Sequence, residues 1–145
     1  MTTIFLDANI LVSVLNNEYP LFTYSARVMS LADHPAYRVY TTPLCLAIAF
    51  YFAEKKHGNA LALKKIKLLC DKILIAKVDE TVVAKTVAEK KVHDFEDGLE
   101  YFAALQADCK FIITQDVNDF YFSKIEVMGA QLFLEKYVLK KIKRR

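Results

Sequence analysis

The sequence predicts an α/β fold: a three-layer α/β/α sandwich in which helices cover both faces of a short central parallel sheet of four to five strands. Three observations predict it. Short apolar or β-branched runs at residues 4–6, 38–41, 72–78, 111–114 and 126–128 alternate with segments of helical spacing. Hydrophobic residues make up 54% of the 145, enough for one continuous core. With only three Gly and three Pro there is little material for linkers, so residues 1–145 are expected to form a single domain without internal repeats.

The elements follow in order. Residues 4–6 form a buried strand that runs into Asp7, and Asn9, Ile10, Leu11, Val14 and Leu15 suit a first helix. A second helix covers 23–32 until His34 and Pro35 break it, and a strand follows at 38–41. Thr42-Pro43 starts a third helix, with Pro at the first helical position, where its missing N–H costs nothing. Its stretch 44–53 (LCLAIAFYFA) is apolar on nearly every face, which predicts cover from the sheet on one side and from a helix or second subunit on the other. After His57-Gly58-Asn59, an amphipathic helix at 60–71 is expected to cluster Leu61, Ile66, Leu69 and Cys70 with its lysines mostly outward, before strand character returns at 72–78. Asp79 caps a helix to about residue 91 with Val83 and Val87 on one face, and Asp94 caps another to about 107. A strand at 111–114, a turn or short helix at 116–122, a strand at 126–128 and a helix at 131–141 complete the chain.

The bulk composition narrows the function classes. The apolar start is cut by Asp7 and Asn9 and has no basic lead-in, unlike a signal peptide, and no apolar run reaches the ~20 residues of a membrane span. Cys45, Cys70 and Cys109 are odd in number and widely spaced, as expected of reduced thiols filling the core of a cytoplasmic protein. Net charge is only +3, but Lys64, Lys65, Lys67 and Lys72 fall in one segment, and Lys140, Lys141, Lys143, Arg144 and Arg145 in another. Such clusters can attract polyanions, and the first three lysines are nucleic-acid-binding candidates; solvated helix faces give the same pattern.

Acidic residues fall where an open parallel sheet binds ligands, beyond the carboxyl ends of its strands. Asp7 follows the first strand, Asp116 follows the strand at 111–114, and Asp94, Glu96 and Asp97 crowd a first helical turn. Capping and the helix dipole are the stronger reading for Asp94 and Glu96, and a turn for Asp119. Asp7 is different. It interrupts the apolar run IFLDANIL, and a lone interior carboxylate is costly unless paired or metal-bound. Convergence of Asp7, Asp97 and Asp116 would raise their pKa values unless a cation is present, and oxygen ligands suit Mg²⁺ or Mn²⁺ and phosphate chemistry. His34, His57 and His93 lack zinc-ligand spacing, and there is no Gly-rich phosphate loop and no G-x-S-x-G elbow.

FLDANILV, HDFEDGLEYFAAL and FIITQDVNDF, in this order over nearly the whole chain, resemble the PIN-domain family, which includes ribonuclease toxins of toxin–antitoxin pairs. The resemblance implies Mg²⁺- or Mn²⁺-dependent cleavage of single-stranded RNA, a small antitoxin partner and a homodimer. It assigns the catalytic and metal-ligating acids to Asp7, Asp97 and Asp116, with Asn9, Thr114 and Asp119 supporting them. One family position departs: a Glu is usual in the helix after Thr42-Pro43, and Ile48 stands there. Glu54 lies about 9 Å further along that helix on another face, so it is no replacement. Asp94, Glu96 or Glu100 can supply an oxygen directly or through water, and one metal is expected rather than two.

The leading expectation is therefore an endoribonuclease toxin. The alternative is a catalytically weakened PIN-like module that binds RNA or a protein through its basic segments and the apolar helix. A phosphohydrolase of another α/β type ranks last, because Asp7 is followed by Ala8-Asn9 with no second Asp two positions on.

Overall fold

The computed structural model describes residues 1–139. The basic cluster from Lys140 onward, and the end of the predicted last helix, lie outside the described residues. Five strands, β1 (Thr2–Leu6), β2 (Tyr37–Thr41), β3 (Leu74–Ile75), β4 (Phe111–Ile113) and β5 (Glu126–Met128), form one sheet in the order β3-β2-β1-β4-β5, with every neighbouring pair parallel. Successive side chains of a strand point to opposite faces, yet Ile4, Phe5 and Leu6 are all fully buried. The centre of the sheet is thus covered on both sides, the three-layer sandwich that the alternation of elements predicts.

Among the described residues seven α-helices make the outer layers: α1 (Ala8–Leu15), α2 (Leu21–Ser30), α3 (Pro43–His57), α4 (Asn59–Cys70), α5 (Glu80–Ala88), α6 (Phe95–Gln106) and α7 (Ala130–Phe133). A wider turn, Leu134–Val138, continues α7. The predicted caps hold: Thr42 accepts from Cys45 N, Asp79 from Val82 N and Asp94 from Asp97 N. α3 packs on α1 and on α4, so helices rather than a second subunit cover much of its apolar surface; Tyr51 and Phe52 remain 52% and 45% exposed.

Three expectations need correction. The strand at 72–78 shrinks to the two residues of β3, paired with Tyr40 and Thr41 at the sheet edge, where only one neighbour can hold it in the ladder. In α5 the buried pair is Val82 and Thr86, while Val83 and Val87 are exposed: both pairs are spaced by four, and contact with α6 selects the face. In α4, Ala62 and Leu69 are buried but Leu61 and Cys70 are exposed, so Cys70 is not core filler, although Cys45 and Cys109 are buried and all three thiols are free.

The chain leaves β1 toward β2 on one side and leaves β4 toward β5 on the other. That divergence opens a crevice at the carboxyl ends of the two central strands. Among the described residues no helix is long and apolar enough to cross a membrane.

Candidate active site

Asp7 is the residue on which the crevice is built. Its N–H donates to the Ile113 carbonyl at 3.0 Å, carrying the β1–β4 ladder one step past Leu6, and its Oδ1 accepts from Ala8 N at 2.7 Å, capping α1. Its Oδ2 accepts from the Thr114 hydroxyl at 2.8 Å. Thr114, fully buried, also accepts from Asn9 Nδ2 at 3.0 Å and from Asp116 N at 3.1 Å. Asn9 ties the two strand ends together, since its Nδ2 also donates to Asp116 Oδ2 at 3.1 Å and its Oδ1 accepts from Gln115 N at 3.1 Å. The Asp7 carboxylate accepts as well from Asn9 Nδ2 at 3.4 Å, so it is aimed by three neighbours, and it is exposed by only 7%.

Asp7, Asp97 and Asp116 line a single cleft of about 470 Å³, together with Asn9, Glu18, Asp94, Glu96, Asp119 and the apolar side chains of Val12, Ile48 and Phe52. Among the described residues no basic side chain lines it, and the ion pairs found there, Lys72–Asp33 and Lys136–Glu126, do not touch it. The electrostatic consequence is plain. Burial, helped by the charges of Asp94 and Asp7, pushes Asp97 up to about 7. Burial also raises Asp7 against the hydrogen bond from Thr114, and raises Glu96.

α6 reaches the cleft because of Gly98. A Cβ at this position would stand 2.6 Å from both Thr86 Cγ2 and Val92 Cγ1, so only glycine lets the first turn of α6 sit this close to α5. Asp97, its neighbour, is half-buried at the cleft wall as a result.

A tighter grouping lies behind the cleft. One ligand atom each from Asp7, Cys45 and Glu100 lie within 4.8 Å of one another, all three residues being buried, a candidate metal-coordinating cluster. The Cys45 thiol donates to Glu100 Oε1 at 2.7 Å, while Glu100 Oε2 has no hydrogen-bond partner. Burial and the nearby Asp7 charge push Glu100 up to about 10, and burial with the Glu100 charge holds the Cys45 thiol well above its usual range. Asp97 and Asp116 line the cleft outside this trio. The donors fit a hard divalent cation: they are oxygen-rich, have no counter-charge among the described residues and include an orphaned buried oxygen.

A family model described as PIN domain matches residues 3–118. The chain belongs to the PIN-domain family. The ribonuclease VapC1 of Aquifex aeolicus (strain VF5) is 25% identical over 138 residues, which cover 92% of this chain and 94% of that protein. The VapBC2 structure from Rickettsia felis, bound to a DNA fragment from its promoter, superposes with a TM-score of 0.66 at 13% identity, covering 88% of this chain and 98% of the other. VapBC-1 from nontypeable Haemophilus influenzae gives 0.66 at 17% identity, covering 90% and 99%. These structural likenesses show the PIN fold.

The predicted site residues distribute accordingly. Asp7, Asn9, Asp94, Glu96, Asp97, Asp116 and Asp119 line the cleft, and Thr114 anchors it from beneath. Lys64, Lys65 and Lys67 lie on α4, outside the cleft lining, and Glu54 is turned away, accepting from Asn59 Nδ2. Sequence reasoning passed over Glu18, took Cys45 for filler and named Glu100 only beside Asp94 and Glu96 as an acid that can supply an oxygen directly or through water. The signal for Glu100 was its place in the apolar run LEYFAAL, three residues after Asp97 and hence on the same helix face.

Proposed function

We propose that this protein is a Mg²⁺- or Mn²⁺-dependent endoribonuclease that hydrolyses single-stranded RNA, with Asp7, Asp97 and Asp116 as its metal-ligating catalytic acids. The observation that carries the reading is the buried Asp7 carboxylate, held by Ala8 N, Thr114 and Asn9, in a cleft lined by acids with no basic partner among the described residues. A ribonuclease relative spanning almost the whole chain supports the substrate class. A divalent ion held there would supply a water of lowered pKa and offset negative charge on a phosphate. The chain's own residues do the positioning: Thr114 and Ala8 N fix both oxygens of Asp7, Asn9 holds Asp116 in register with it, and Asp94, Glu96 and Asp119 keep the rim acidic. Lys64, Lys65 and Lys67 give the RNA backbone a basic face on α4.

The likeness to VapBC assemblies supports a small antitoxin as a protein partner, and the half-exposed Tyr51 and Phe52 on α3 offer a surface for a homodimer. Incubating the purified protein with single-stranded RNA and Mn²⁺ tests the reading. Cleavage that EDTA stops and Asp7→Asn abolishes is expected; cleavage unchanged by Asp7→Asn would overturn it. Ile48, an apolar side chain in the cleft wall, favours a second reading, a PIN module that binds RNA without turnover. RNA binding that survives EDTA, with no cleavage at any divalent ion, would establish that instead.

A further inference from the structure

Glu100 is a buried carboxyl group set against a thiol, Cys45, and another carboxyl, Asp7. It is 1% exposed, one oxygen receives the Cys45 thiol, and the other, Oε2, has no hydrogen-bond partner. An apolar side chain of the same length would fill the space without desolvating an unpaired oxygen. Its position is not arbitrary. Glu100 stands one helical turn after Asp97 on the same face of α6, and its carboxylate belongs to the close cluster with Asp7.

The opposite wall makes the placement informative. α3 meets the cleft through the apolar Ile48 and Phe52, so that side offers no oxygen, whereas α6 offers three carboxyl groups, Glu96 and Asp97 at the cleft wall and Glu100 behind Asp7. We infer that Glu100 is a ligand of the same divalent cation that Asp7 and Asp97 hold, its unpaired Oε2 completing the oxygen set from below while the Cys45 thiol fixes Oε1. Cys45 is then a positioning residue rather than a ligand, consistent with a preference of hard cations for oxygen over sulfur. The inference rests on the reading of the cleft as a metal site and adds a ligand to it.

Mn²⁺ titration of the full chain by calorimetry, paired with thermal unfolding with and without Mn²⁺, tests it. Glu100→Gln is nearly isosteric and is expected to keep or raise the metal-free Tm, weaken Mn²⁺ binding at least about tenfold, and lose most of the Mn²⁺-induced gain in Tm. Cys45→Ser is expected to stay within a few-fold of the unmodified protein. Adding Ile48→Glu to Glu100→Gln places a carboxylate in the same cleft from the other wall and is expected to restore most of the lost affinity. If the Gln variant does not fold, Glu100→Met, which keeps the volume without the carboxyl group, is read the same way. Unchanged Mn²⁺ binding in a folded Glu100 variant, with binding lost in Asp7→Asn, would remove Glu100 from the site and leave the metal site standing. Loss in Cys45→Ser with retention in Glu100→Gln would overturn the assignment in favour of the thiol. No binding of millimolar Mn²⁺ by the unmodified protein would overturn both the metal site and this ligand.

Discussion

The Thr114 hydroxyl donates to Asp7 Oδ2 at 2.8 Å across a chain separation of 107 residues. Because Thr114 also accepts from Asn9 and from Asp116 N, this one hydroxyl sets the spacing of the two strand-end acids. Thr114→Val keeps the shape and removes these bonds. It is expected to weaken Mn²⁺ affinity by about 10–100-fold, the usual cost of losing a group that orients a metal ligand, while far-UV circular dichroism stays unchanged; calorimetry checks it.

Asp7→Asn separates stability from function. Burial holds this carboxyl above its usual range, so its charged form is costly at neutral pH, and Asn caps a helix as well as Asp does. The variant's metal-free Tm is expected to be no lower than that of the unmodified protein, even as metal-dependent RNA cleavage is lost. Differential scanning calorimetry in EDTA, beside a cleavage assay, would show both. A large fall in Tm would instead make Asp7 a structural residue.

Gly98→Ala tests the close approach of α6 to α5. The added methyl meets two β-branched side chains, Thr86 and Val92, neither of which can swing its far end away. Overpacking of this kind costs about 1–3 kcal/mol, readable as a lowered urea midpoint. Because Asp97 precedes Gly98, Mn²⁺ affinity is expected to fall as well.

Metal-free stability is expected to fall as pH rises. Asp97 is raised to about 7 and Glu100 to about 10 in the folded protein, against ordinary values of 3.8 and 4.5 in the unfolded chain. The folded state therefore holds more protons. The stability these groups contribute is complete below the unfolded values; both lose it as pH climbs toward about 7, and Glu100 alone from there to about 10. Urea midpoints in EDTA from about pH 5 to about pH 9 would show the decline, and Glu100→Gln should flatten its alkaline part. A midpoint that rises steadily with pH would contradict the burial of these acids.

Much of this was legible before any coordinates, and the reason differs by residue. Asp7 stood out because a charge in the middle of IFLDANIL has nowhere exposed to go in a central strand. Asp116 is marked by the end of a β-branched strand, Asp94 and Asp97 by the turn that opens a helix, and Thr114 by the resemblance to the PIN-domain family. Glu100 was not legible in the same way, because a helix can send an acid to solvent even when its neighbours are apolar; contact with Cys45 on α3 is what buries it. The same ambiguity misplaced the buried face of α5, where Val82 with Thr86 and Val83 with Val87 satisfy one periodicity equally. At β3 the pattern was right but the edge of the sheet supports only two residues of it.

The placement of β4 beside β1 also fixes an order of events during synthesis. β1 and β2 are joined by a local connection and can pair early, but the other flank of β1 stays vacant until residues 111–113 emerge. Until then Asp7 has neither Ile113 nor Thr114 to hold it, and Asp116 does not yet exist. A ribosome-bound fragment that ends before β4 carries the first acid of the cleft without the cleft. Whatever chemistry the site performs is withheld from the nascent chain until β4 and the residues that follow it to Asp116 are free to pack beside β1.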